Sequence, residues 1–140
     1  MRSNKPELKK VTNLDYLTGL SKGNTQFVKE MIDTFLAENP KEIALLKTAI
    51  QNRNFEDIRQ AAHLLQSSIP FVGLDKIIET EVYEIEEMAS GTAVLKKIEI
   101  RPADVAALRK IEQLFSKVKE ACERACKELV KPVHLQENVT

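Results

Sequence analysis

Apolar residues recur at steps of three and four from about residue 25 to residue 129, and no stretch of useful length alternates apolar with polar residues. The first period is that of an α-helix with one buried face; its partner, the period of two, is what a half-buried strand needs. A chain patterned this way has only helices with which to build its core. Punctuation between the periodic stretches is brief, and short connections force successive helices to lie antiparallel. The expected fold is therefore all-α: an antiparallel four-helix bundle with additional helical structure at the N-terminal side.

Residues 1–12 carry four cations (Arg2, Lys5, Lys9, Lys10) against Glu7 and read as a flexible arm. A helical turn around Leu14, Tyr16, Leu17 and Leu20 comes next, then Gly23 and Asn24, the latter suited to an N-cap. Phe27, Val28, Met31, Ile32, Phe35 and Leu36 predict a helix over 25–38. Asn39-Pro40 predicts a break, because the residue before proline avoids the α region. Ile43, Leu46 and Ile50 predict a helix over 40–51. Asn54 should cap a helix over 55–68 carrying Ile58, Ala62, Leu65 and Ile69, which Pro70 and Gly73 terminate. A further helix over 74–90 bears Leu74, Ile77, Ile78, Ile85 and Met88 and is acidic, with six carboxylates against Lys76. Residues 91–101 read as a linker. The longest helix, 103–130, carries Val105, Leu108, Ile111, Phe115, Val118, Cys122, Ala125 and Leu129. The bundle thus spans 13–130, and 131–140 reads as a flexible tail.

Several function classes fall away on composition. Lys+Arg and Asp+Glu are both 21, so the chain lacks the cationic surplus of a nucleic-acid binder. No apolar run approaches the roughly 20 residues needed to cross a bilayer, and the N-terminus lacks a secretory signal's apolar stretch. Two cysteines do not make a disulfide scaffold, so a cytoplasmic setting is expected. With only 4 Gly there is no glycine-rich phosphate loop, hence no ATP site. Cys122 falls on the apolar stripe, so Cys122 and Cys126 read as structural thiols, and the acidic helix reads as a solvated face. No metal site is expected.

One residue stands apart. His63 is the only histidine outside the C-terminal tail, where His134 lies. At about 100° per residue it projects roughly 130° away from the apolar arc of its helix, toward solvent. Its neighbours three and four residues away are Arg59, Gln60, Gln66 and Ser67. All are polar and none is acidic, a surround that suits an anion on the imidazole better than a metal. A relay of the serine-hydrolase type lacks an orienting acid and an oxyanion loop.

The stretch from Gln60 through Ala62-His63-Leu64-Leu65-Gln66-Ser67-Ser68, followed by Phe71-Val72-Gly73-Leu74, resembles histidine-containing phosphotransfer (HPt) domains of two-component phosphorelays. Their signature is roughly A-H-x-L-K-G-S-S with a glycine about ten residues after the histidine; Ala62, His63, Leu65, Ser68 and Gly73 match in place. Gly23-Asn24, Phe27, Met31 to Phe35, Asn54-Phe55, Ile58 and Glu84-Ile85-Glu86 also look like the family. The resemblance implies that His63 accepts a phosphoryl group from an aspartyl phosphate on one receiver domain and passes it to an aspartate on another. Partners would be response-regulator receivers and a hybrid histidine kinase, with the chain itself a monomer. It would carry no cofactor and act as a phosphocarrier rather than a turnover enzyme, the Mg²⁺ residing on the receiver.

Two departures stand inside the motif. Gln66 replaces the family's lysine and Ser67 its glycine. On the projection Arg59 lies near Gln66, so Arg59, Gln66 and Ser67 are the expected phosphate-supporting residues. Gln60, Leu64, Leu17 and Leu20 are the expected docking residues, because the family's early helices border the docking face. The competing reading is a degenerate HPt-like adaptor that binds a receiver or kinase without carrying phosphate.

Overall fold

The computed structural model describes residues 10–93 and 102–139, with side chains described through Val130 except at 92–93. Among these residues five α-helices and one 3-10 turn occur and no strand: α1 (Asp15–Ser21), α2 (Thr25–Gln51), α3 (Phe55–Ser68), the 3-10 turn Ile69–Val72, α4 (Asp75–Ala93) and α5 (Pro102–Val139). The four long helices pack in chain order, α2 on α3, α3 on α4, α4 on α5, and α5 closes back on α2. Short α1 lies against α2 and the 3-10 turn.

Each helix buries one stripe. Ile32, Phe35, Ile43, Leu46 and Ile50 come from α2; Ile58, Ala61, Ala62 and Leu65 from α3; Ile78, Val82, Ile85 and Ala89 from α4; Leu108 to Leu129 from α5. The expected caps are present: Asn24 Oδ1 accepts from Phe27 N and Asn54 Oδ1 from Asp57 N, both at 3.0 Å.

Three expectations need correction. The break at Asn39-Pro40 does not occur; α2 is one helix of 27 residues with Pro40 inside it. The reason is packing. Phe35, Asn39, Ile43 and Leu46 are all buried and follow one another at steps of three and four across the proline, so both halves are pinned to the same core. Pro40 itself lies on the exposed side, where water can reach the carbonyl that loses its donor. Pro40→Ala should therefore stabilise the chain by about 1–2 kcal/mol, the gain from a restored helical donor less the entropy returned to the unfolded chain. Urea denaturation measures it.

The second correction concerns stripe membership. Ile77 and Val105 are exposed, while Leu114 and Ala121 are buried where the sequence reading did not place them. The third concerns the ends. Helix α5 continues to Val139, past the expected limit of 130. The linker 91–101 mostly lies outside the described residues; its first three residues extend α4 to Ala93.

The end of the expected arm is docked. Val11 is buried. Glu128 of α5 accepts from Val11 N (2.9 Å), Thr12 N (3.0 Å) and the Thr12 hydroxyl (2.7 Å), and Asn13 N donates to Val72 O at 2.8 Å. Burial pushes the Glu128 carboxyl up, but the donors from Val11 and Thr12, with the charge of Arg124, outweigh it and hold the carboxyl below its ordinary value. A carboxyl depressed in the folded state contributes stability that is present above its ordinary value of 4.5 and is lost as pH falls through the lower folded value. The Thr12 amide resonance should accordingly stay at its docked shift from pH 7 down to the ordinary carboxylate range and move only below it. In Glu128→Gln that acid transition should be absent.

Asn39 is the buried polar residue of α2, and its amide lies between two thiols of α5, Nδ2 donating to Cys122 Sγ (3.5 Å) and Oδ1 accepting from Cys126 (3.8 Å). Burial pushes the Cys122 thiol up to about 12, which removes it as a thiolate nucleophile or redox centre at neutral pH. Both cysteines are free, as the structural reading expected.

Candidate functional site

His63 sits midway along α3, fixed in place by the Asn54 cap at one end and by Ala62 and Leu65, both fully buried, on its flanks. Its own side chain is 65% exposed. The projection away from the core is thus what the structure has, and the segment around Pro70 does not cover the ring.

The imidazole does not stand alone. Nδ1 lies 3.1 Å from Oε2 of Glu86, and Oε1 of the same carboxylate accepts from the Gln66 amide. One carboxylate therefore bridges two residues of α3, three apart in sequence. The register explains it. Gln66 is four after Ala62 and three before Ile69; Glu86 is four after Val82 and three before Ala89. Each sits on the edge of its helix's buried stripe, and the two edges meet at the seam between α3 and α4. Glu86 retains 18% of its exposure there.

An ionised carboxylate only accepts hydrogen bonds, so its contact puts the imidazole hydrogen on Nδ1. Nε2 then carries the lone pair, and among the described residues it has no hydrogen-bond partner. That arrangement presents a nucleophilic nitrogen to solvent with the ring orientation and tautomer held from behind.

The expected supporting residues divide. Gln66 is at the site, but its amide is spent on Glu86 rather than aimed past the ring. Arg59 is held by Glu56 through Nη2 and through Nε (3.2 Å). The hydrogen bond to Glu56, its charge and a smaller contribution from Glu86 raise the guanidinium above its usual range. Gln60 donates to the same Glu56 at 2.9 Å. Ser67 is exposed on the next turn. Ser68, a residue of the matching motif, turns away and donates to Glu42 of α2 (2.9 Å), tying α3 to α2.

Of the expected docking residues, Leu64 (46% exposed) and Leu20 (50%) are open, as is Tyr16 (55%), four residues before Leu20. Leu17 is not a docking residue: it is completely buried, because it is the position of α1 that faces α2 and the 3-10 turn. The Tyr16 ring stands 6.1 Å from Phe71, tilted at 55°, and braces α1 on that turn. One turn beyond His63, Gln66, Pro70, Asp75, Glu79 and Tyr83 wall a cleft of about 270 Å³. Its acids make it a poor receptor for phosphate.

The residue that sequence reasoning missed is Glu86. The motif Glu84-Ile85-Glu86 drew attention as family-like, but nothing connected it to His63, whose helical neighbours are not acidic. Its edge position relative to Val82 and Ala89 was the available signal. No group of three or more metal-ligating side chains occurs among the described residues, and no helix among them is long and apolar enough to cross a membrane.

With an exposed histidine on a bundle helix and the surrounding motif in view, comparison with known families is decisive: the model described as Hpt domain matches residues 30–137. The chain belongs to the Hpt domain family. No curated protein and no solved structure matches it. Histidine phosphotransfer in two-component relays, through response regulators and kinases, is the business of Hpt domains. The match starts inside α2, so α1 and the docked segment at 11–14 lie outside it, whereas the bundle read from the sequence spans 13–130. Nearly all of α5, including the stretch past 130, lies within it.

Proposed function

We propose that His63 is the phosphorylated residue of this Hpt domain and that the chain carries a phosphoryl group between aspartates of receiver domains. The observation that carries the reading is the open Nε2, backed by the Nδ1 contact to Glu86. Nε2 attacks the phosphorus of an aspartyl phosphate in line; the acyl O–P bond breaks and the aspartate leaves as carboxylate. The return step reverses this on the second receiver. Catalysis of such transfer is mostly positioning and charge neutralisation. In this chain the positioning falls to Glu86, and the Mg²⁺ that neutralises charge belongs to the receiver. Leu64, Leu20 and Tyr16 offer the apolar surface a receiver would bury.

One observation favours a docking-only role. Arg59, the expected cation, is paired with Glu56, which competes with a phosphoryl group for its guanidinium. Intact-mass measurement after treatment with phosphoramidate separates the readings. One acid-labile phosphoryl group mapping to His63 supports the carrier; none, under conditions in which another Hpt domain is labelled, supports the adaptor.

A further inference from the structure

We infer that Glu86 keeps the phosphorylated form of His63 in a fast-release state by holding the Nδ1 proton in place after transfer. This rests on the carrier reading and adds to it a property of the phosphorylated protein.

When Nε2 attacks phosphorus with hydrogen already on Nδ1, the immediate product is a cationic ring bearing the phosphoryl group. Two fates are open to it. If Nδ1 releases its proton to water, the ring becomes neutral, and later cleavage of the N–P bond must expel an imidazole anion, a poor leaving group. If Nδ1 keeps its proton, cleavage returns the electron pair to Nε2 and expels neutral imidazole, a good one. The carboxylate oxygen 3.1 Å from Nδ1 decides between them. It stabilises the protonated ring by a charge-assisted hydrogen bond, and it would face a bare lone pair if the proton left.

The rest of the surface reinforces the choice. The amide and guanidinium donors near His63 are each turned to a carboxylate: Gln66 to Glu86, and both Arg59 and Gln60 to Glu56. Each carboxylate competes with the phosphoryl group for its donor, which would otherwise stabilise that group and slow its loss. On α4 no Lys or Arg occurs between Ile77 and Ala93, and Tyr83 is paired with Glu87. Gln66, standing where the family's lysine is usual, thus serves to orient Glu86 rather than to bind phosphate. The phosphoryl group gains high transfer potential and loses storage time.

The test compares the full-length wild type with Glu86→Gln, both phosphorylated with phosphoramidate, Nε2 displacing ammonia from phosphorus. Glutamine at 86 can still orient the ring through its oxygen. Once the phosphoryl group is on, its NH₂ can instead donate to an unprotonated Nδ1. Loss of the ³¹P phosphohistidine signal is followed in buffer without any receiver, and ¹⁵N chemical shifts report whether Nδ1 carries hydrogen. The wild type should lose its phosphoryl group about tenfold faster than Glu86→Gln, the scale of exchanging a charge-assisted hydrogen bond for a neutral one. Its Nδ1 should be protonated in the phosphorylated protein and that of the variant should not. Equal lifetimes, or the same Nδ1 state in both, would overturn the role of Glu86 and leave the carrier reading intact. Failure of both proteins to take up phosphoryl at all would overturn the carrier reading, and this inference with it.

Discussion

Gly73→Ala should lower the stability of the chain by about 2–4 kcal/mol, a large fraction of what a domain of this size possesses. Two independent costs meet at this residue. Its φ is +78°, in the left-handed region that a side chain makes strained. A Cβ there would also lie 2.6–2.7 Å from the backbone oxygen, nitrogen and Cβ of Asn13. These are not the tips of flexible side chains, so the segment at 11–14 would have to move away. That movement would break the Asn13–Val72 hydrogen bond and strain the Glu128 contacts to Val11 and Thr12. Urea denaturation measures the loss. Loss of the docked Thr12 amide shift in the folded variant would show that the clash, beyond the φ strain, contributes. A change below about 0.5 kcal/mol, the size of an ordinary surface substitution, would contradict this account of the turn.

The second large effect concerns chemistry. His63→Gln should abolish phosphoryl uptake and transfer while leaving the fold unchanged. The side chain is 65% exposed and glutamine is a good helix former, so denaturation midpoints should agree within about 0.5 kcal/mol. Transfer, in contrast, should vanish outright, because no other residue of the site offers an equivalent nitrogen. Ser67 is exposed on the next turn, but among the described residues its hydroxyl has no base arranged to activate it. Thermal melting and a transfer assay on the same preparation separate the two quantities.

Much of this architecture could be read from period and punctuation. Both asparagine caps, the exposure of His63 and the end of α3 at Ser68, just before Pro70, follow from rules that act within a few residues. What escaped depends on contacts between distant segments. The proline at 40 reads locally as a stop, and only the buried run Phe35, Asn39, Ile43 and Leu46 keeps the helix intact through it. Residues 11 and 12 read as part of a loose arm because their partner, Glu128, lies more than a hundred positions away. Leu17 looked like surface because a short helix gives too few turns to define its buried side.

The site divides in the same way. A projection of α3 alone identifies His63 and shows that its neighbours are polar, but it cannot show what α4 brings across the seam. An acid enters from outside the helix and consumes Gln66, and a second acid on α3 itself, Glu56, consumes Arg59. Glu56 is three residues from Arg59 and four from Gln60, a spacing legible in the sequence; its consequence is that the cation expected to support phosphate has a closer partner. The site is better described as a histidine oriented by a carboxylate than as a histidine flanked by phosphate-binding donors.

The central claim is tested most directly by following label through a three-component relay. A receiver domain carrying labelled aspartyl phosphate and Mg²⁺ is mixed with this chain and then with a second receiver. The account predicts that label appears on the wild-type chain in an acid-labile form, moves on to the second receiver, and does neither with His63→Gln. Label reaching the second receiver equally well with His63→Gln, or a wild-type chain that stays unlabelled beside receivers that another Hpt domain connects, would contradict it.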